Sequence, residues 1–111
     1  MIPRDMVQFL SRQINRNIQK YLHFFSVGSK SNNDCMRHMS VLYESLDSDQ
    51  QKSFVEFMHT LQSETLGAVF ALLDNQDTVD GQTHNLELQH GDDKINGDLS
   101  EILFELEQEC E

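Results

Sequence analysis

The chain has 111 residues, of which 38% are hydrophobic and 24% are charged, and its formal net charge is −11. This length suits one domain and this apolar share supports a core, so we expect a single domain over residues 1–111 rather than a disordered chain. No run approaches the roughly 18 apolar residues of a membrane span, and the opening MIPRDMVQFL lacks a basic segment before an apolar run, so we expect neither a membrane protein nor a signal peptide.

Three helices are predicted in the first two thirds of the chain. Apolar residues recur every three or four positions, as in amphipathic helices, over residues 3–25, 34–46 and 50–73. Asp47 or Ser48 is placed to accept the free N–H groups at the start of the third helix. The predicted inner stripe of that helix comprises Phe54, Phe57, Met58, Leu61, Thr65, Ala68 and Leu72. Together the three helices form a predicted helical body over residues 3–74.

A β-hairpin and a short helix are predicted next, over residues 82–108. NLELQH alternates apolar and polar side chains, GDD supplies a turn and KIN returns, so residues 84–96 form a predicted hairpin whose apolar face lies on the helices. Asp98 is the predicted cap of the last helix. Its predicted inner face comprises Leu99, Ile102, Leu103 and Leu106. The fold class is therefore α+β, mostly helical, with a three-helix body, a β-hairpin and a short C-terminal helix.

Acidic residues are concentrated in the second part of the chain. Residues 1–46 contain six basic and three acidic residues, whereas residues 47–111 contain two basic and sixteen acidic residues. Such a surface repels nucleic-acid phosphates, which excludes nucleic acid as a partner. It attracts a basic protein, whose encounter would be fast and electrostatically steered.

Metal-binding motifs are incomplete. An EF-hand loop needs oxygen ligands at positions 1, 3, 5 and 12 around a glycine at position 6. With Gly81 at position 6, the uncharged Gln76 stands first; with Gly97 there, Lys94 and Leu103 stand third and twelfth. The histidines are scattered and no Cys-x-x-Cys occurs, so we predict no calcium, zinc or other metal site.

Catalytic and cofactor motifs are also lacking. Cys35 lies near Arg37 and His38, but nothing resembling an oxyanion hole accompanies it, so we interpret it as a partly buried structural thiol. Cys35 and Cys110 are both interpreted as reduced thiols of a cytoplasmic protein. No glycine-rich phosphate loop or nucleophile elbow occurs, so we predict no enzyme activity and no cofactor.

The acidic loops and the polar flank of the last helix are the remaining candidate site. We interpret them either as a surface that serves solubility or as a patch that contacts a basic partner beside an apolar anchor. The predicted partner-binding residues are Asp77, Asp80, Asp92, Asp93, Asp98, Glu101 and Glu105.

In size, acidity and the texture of residues 84–107, with the ending LELQHGDDKINGDLSEILFELEQE, the chain resembles immunity proteins of bacterial polymorphic toxin systems, including contact-dependent growth inhibition. The resemblance implies a cytoplasmic, non-enzymatic inhibitor that binds a basic cognate toxin domain, often a nuclease, and blocks its active site or its substrate path. The alternative is a regulatory or adaptor protein that holds a partner helix in an apolar groove. A calcium sensor or an enzyme ranks third, and the sequence leaves the oligomeric state open.

Overall fold

The computed structural model describes residues 1–109, apart from the side chain at position 29. This part of the chain forms four α-helices, one 3₁₀-helix and one two-stranded antiparallel sheet. The α-helices are α1 (Pro3–Val27), α2 (Asp34–Ser45), α3 (Ser48–Leu73) and α4 (Leu99–Glu109), the 3₁₀-helix is Gly28–Lys30, and the strands are β1 (Gln89–His90) and β2 (Asp93–Lys94). The mostly helical α+β prediction is confirmed, and α1, α2 and α3 end within two residues of the predicted bounds.

Side-chain caps set the starts of α2 and α3. The Oδ1 atom of Asn33 accepts a hydrogen bond from the Met36 N–H at 3.0 Å. At α3, Oδ1 of Asp47 accepts from the Gln50 N–H at 2.8 Å, and Oε1 of Gln50 accepts from the Asp47 N–H at 3.0 Å. This reciprocal pair is a capping box, so Asp47 rather than Ser48 caps α3.

The chain groups into two compact units. The acidic unit comprises residues 1–12 and 63–109, and the neutral unit comprises residues 13–62. Both units draw on α1 and α3, because each of these helices crosses the division. The prediction of one domain over residues 1–111 concerns cooperative folding and stays a prediction.

The acidic unit has an apolar core to which α1, α3, the residues flanking the hairpin and α4 contribute. Its buried residues are Val7, Phe70, Ile95, Leu99 and Leu103, with Met6, Leu10, Leu66, Leu73, Leu88, Ile102 and Leu106 packed against them. The predicted inner face of the last helix is therefore confirmed, and Ile95, which follows the second strand, is buried in the same core. This burial removes apolar surface from water on one side of α4 and holds the helix to the unit.

The predicted inner stripe of α3 is partly wrong. Phe57 is 58% exposed and Leu61 is 48% exposed, whereas Phe70, outside the predicted stripe, is completely buried. Apolar side chains lie all round α3, so their spacing does not single out one inner face.

The hairpin is shorter than predicted. Residues 84–88 are not a strand, and the paired residues are Gln89 with Lys94 and His90 with Asp93. One further backbone bond runs from the Ile95 N–H to the Leu88 carbonyl, at 2.8 Å. Beyond it, the side chains of Asn75 and Asn96 bind the backbone groups of Leu86 and Leu88 that a longer strand would pair.

The neutral unit is centred on an aromatic cluster. The ring of Phe25 lies 5.3 Å from that of Tyr43 and 6.1 Å from that of Phe54, and the last two rings are 5.9 Å apart. These separations are typical of favourable aromatic pairs. The hydroxyl of the buried Ser40 donates to the Phe25 carbonyl, so a polar group on α2 is satisfied within this core.

Candidate acidic binding surface

Three polar side chains, Asp74, Asn75 and Asn96, connect the end of α3 to the segments that carry most of the predicted site; we call them the polar hub. The α3 helix ends in a Schellman motif: the Gln76 N–H donates to the Ala71 carbonyl at 2.9 Å, and the Asn75 N–H donates to the Leu72 carbonyl at 3.2 Å. Asn75 has the left-handed conformation, φ 62°, that this motif requires. The chain therefore turns sharply at the hub.

Asp74 caps α4 from a distance in sequence. Its Oδ1 accepts from the Gly97 N–H at 2.7 Å, and its Oδ2 accepts from the Ser100 N–H at 2.8 Å. A carboxylate beside the N-terminus of a helix satisfies free N–H groups and interacts favourably with the helix dipole. The prediction that Asp98 caps this helix is wrong in this respect, because the Ser100 N–H that a capping side chain would take points to Asp74.

The two asparagines of the hub hold the segment before the hairpin. The side-chain amide of Asn75 donates to the Leu86 carbonyl at 3.0 Å and accepts from the Leu86 N–H at 2.8 Å. Asn96, which is only 6% exposed, accepts from the Leu88 N–H at 2.9 Å. It also donates to the carbonyls of Leu73 and Leu86. A buried amide satisfied in this way fixes the backbone around it.

All seven predicted partner-binding residues are exposed and belong to the acidic unit. The structure places them in three groups: Asp77 and Asp80 in the loop after α3, Asp92 and Asp93 at the hairpin turn, and Asp98, Glu101 and Glu105 at the start and along the exposed side of α4. Hydrogen bonds from the Leu88, Gly97 and Ser100 N–H groups to the polar hub hold the backbone before the hairpin and at the start of α4, next to the second and third groups. Their carboxylates thus extend from a fixed backbone.

Glu105 differs from the other six residues because it has an internal ion-pair partner. Nη1 of Arg4 lies 3.8 Å from its Oε2, while Nη2 of Arg4 lies 3.1 Å from Oε1 of Glu109. None of the other six carboxylates forms an ion pair with any of residues 1–109. The sequence could not indicate the role of Arg4, because its partners lie more than 100 positions away.

Phe104 is an exposed aromatic residue that the sequence reasoning missed. Its side chain is 62% exposed, the highest value among the large hydrophobic residues described. It follows the buried Leu103, so it lies about 100° further round α4, away from the core. The signal was present in LSEILFELEQ, where one apolar residue falls outside the spacing of the inner face.

The prediction about Cys35 has a clear outcome. Cys35 is a free thiol and is exposed, so the prediction that it is partly buried is wrong: it lies in the first turn of α2, on the side that faces solvent. Cys110 lies outside the described residues.

Among residues 1–109, no three His, Cys, Asp or Glu side chains are grouped so that they could hold a metal ion. In the same part of the chain, no helix combines the length and the apolar character that crossing a membrane requires.

Searches with protein-family models, curated proteins and solved structures gave no match to the chain.

Proposed function

We propose that the chain is a non-enzymatic inhibitor that binds a basic protein through its acidic unit, in the manner of an immunity protein that neutralises a toxin domain. One observation carries the proposal. The acidic unit holds thirteen acidic and three basic residues, whereas the neutral unit, of similar size, holds five of each. Solubility alone is served by charges spread over the whole surface, so this one-sided distribution favours an electrostatic partner.

A toxin nuclease is the partner class that fits best. Such an enzyme carries lysine and arginine where it binds nucleic-acid phosphates. Carboxylates presented on a fixed backbone can take these same cations and deny the site to nucleic acid. Because the polar hub already orders the hairpin turn and α4, little conformational entropy would be lost there on binding. We place this inhibition in the cytoplasm, where the producing cell's own nucleic acid needs protection.

The test is binding to, and neutralisation of, the product of the adjacent upstream gene. The two proteins are co-expressed and co-purified, and growth is measured when that product is induced with and without the chain. We expect a complex and restored growth. No complex and no restored growth would contradict the proposal.

Charge-reversal variants test whether the acidic unit makes the contact. Asp92→Lys with Asp93→Lys should slow association and reduce its dependence on salt, because exposed charges act mainly on the on-rate. The matched control is Glu44→Lys with Glu56→Lys, which changes the net charge equally but lies in the neutral unit, where both glutamates are exposed. Equal effects of the two double variants would mean that only total charge matters.

An adaptor that binds a partner helix is the second candidate. A shallow hollow in the neutral unit, lined by Leu46, Asp49, Gln50, Ser53 and Phe54, supports it. The exposed Phe57 and Leu61 stand one turn apart on the same helix, α3. Binding through apolar contacts should survive 1 M salt, whereas binding through the acidic unit should weaken strongly, so a salt titration distinguishes the two candidates.

A further inference from the structure

We infer that Phe104 is the apolar anchor of the partner contact and that it enters an apolar pocket on the partner edged by lysine or arginine. This inference rests on the proposed function and makes it more specific. The apolar residues of α4 differ in their surroundings. The other apolar residues of the helix, Leu99, Ile102, Leu103 and Leu106, all belong to the core of the acidic unit, and only Phe104 presents its side chain to solvent.

The surroundings of Phe104 on the helix are acidic. Residues three and four positions away are its neighbours on a helix surface, and these are Ser100, Glu101, Glu107 and Gln108. The helix has four glutamates and no basic residue over Leu99–Glu109. Glu107 is half-buried with one carboxylate oxygen out of contact with water, so Glu101 is the exposed acidic neighbour. An aromatic ring with a carboxylate beside it can place an arginine or lysine of the partner over the ring and pair the same cation with that carboxylate.

This charge pattern selects one occupant. A second copy of the chain would bring the same acidic helix opposite itself, and like charges in direct opposition are unfavourable. Nucleic acid is repelled for the same reason. A basic protein surface with an apolar pocket is complementary in both charge and polarity, and aromatic residues are enriched in the buried centres of such contacts.

The ion pairs of Arg4 indicate which carboxylates near Phe104 are available to pair with a cation of the partner. Arg4 engages Glu105 and Glu109 toward the end of α4, whereas Glu101 forms no ion pair with the residues that the structure describes. Glu101 also lies one turn before Phe104. The partner's cation would thus meet Glu101 first, and contact with Glu105 would require displacing Arg4.

The test compares Phe104→Ala with Phe9→Ala in binding to the purified product of the adjacent upstream gene. Phe9 is the matched control: it is 58% exposed, lies in the acidic unit on α1, and has both Asp5 and Arg12 among its helix neighbours, so its surroundings are electrically balanced. We expect Phe104→Ala to dissociate about ten-fold faster or more, the effect of losing a central anchor. Phe9→Ala should bind within about two-fold of the wild type, as residues outside the centre of a contact do.

A second variant guards against a folding artefact. Phe104→Gln places a good helix former at an exposed position without adding charge to the acidic helix, so its melting temperature should match that of the wild type, yet a polar amide is unfavourable in an apolar pocket. We expect it to lose binding at least as far as Phe104→Ala. If the wild type binds and both folded Phe104 variants bind equally well, the inference is wrong while the proposed function stands. If the wild type does not bind, both are wrong.

Discussion

The strongest prediction contrasts two aspartates at the start of α4. Asp98 directly precedes the helix in sequence, and Asp74 lies more than twenty positions earlier, at the end of α3. Both carboxylate oxygens of Asp74 accept backbone hydrogen bonds, at 2.7 Å from the Gly97 N–H and at 2.8 Å from the Ser100 N–H. We therefore expect Asp74→Ala to destabilise the protein and Asp98→Ala to leave its stability nearly unchanged.

The magnitude follows from the two bonds of Asp74. A hydrogen bond to a charged group contributes about 1.5–3 kcal/mol, and loss of a helix cap typically costs about 1 kcal/mol. Asp74 is half-buried, so the lower part of these ranges applies, and the expected loss is about 2–3 kcal/mol. Asp74→Asn should cost nearly as much, because both oxygens accept hydrogen bonds and one of them would become an NH₂ that faces an N–H donor.

The assay is urea unfolding followed by circular dichroism at neutral pH. Both alanine variants remove one negative charge, so general relief of charge repulsion cancels between them. A loss for Asp98→Ala equal to that for Asp74→Ala would refute the assignment of Asp74 as the cap. Both tyrosines of the chain, Tyr21 and Tyr43, lie in the neutral unit. Coincident transitions by tyrosine fluorescence and circular dichroism would therefore support the prediction of a single cooperative domain.

Three further predictions follow from the acidic unit. Asn96→Ala leaves the Leu88 N–H without its side-chain partner and removes one donor each from the Leu73 and Leu86 carbonyls, of which Leu86 keeps Asn75. It should cost about 2–3 kcal/mol in urea unfolding; a loss below about 1 kcal/mol would contradict the role of the hub. Gly67→Ala should stabilise by up to about 1 kcal/mol, because a Cβ there meets only Leu103 Cδ2, at 4.0 Å; a lower melting temperature would show that the site is tighter than its geometry indicates. Asp92→Asn with Asp93→Asn should raise stability by a few tenths of a kcal/mol at low salt, through relief of repulsion, while slowing association with the partner; the stability gain should vanish in 1 M NaCl, and persistence there would exclude an electrostatic cause.

Much of the helical architecture could be predicted from the sequence because its signals are local. The apolar spacing predicted the bounds of α1, α2 and α3 to within two residues, and predicted the whole inner face of α4. The Asp47–Gln50 capping box is likewise contained in four residues. Where neighbouring residues alone determine a helix or its cap, a pattern that repeats every three to four positions is sufficient to predict it.

The hub and the shortened hairpin could not be predicted because their bonds join distant positions. Asp98, directly before α4, is the usual signal of a helix cap. The free N–H groups at the start of α4 instead bind Asp74, which precedes the loop and the hairpin in the chain. Asn75 and Asn96 satisfy the backbone of Leu86 and Leu88 with side chains, which removes the need for a longer ladder. Alternation in NLELQH is the same whether these backbone groups pair with a strand or with amides. Only the tertiary structure distinguishes the two.

Some acidic residues of the acidic unit have partners within the fold, and others do not. Asp74 accepts hydrogen bonds at the start of α4, and Glu105 and Glu109 form ion pairs with Arg4. Six predicted partner-binding carboxylates have no ion pair within residues 1–109, and they add repulsion to a unit that already has a large excess of acids. The neutral unit demonstrates that the same chain can keep a surface with balanced charges. Retaining these unpaired carboxylates reduces stability, and the proposed binding to a basic partner would compensate for that loss.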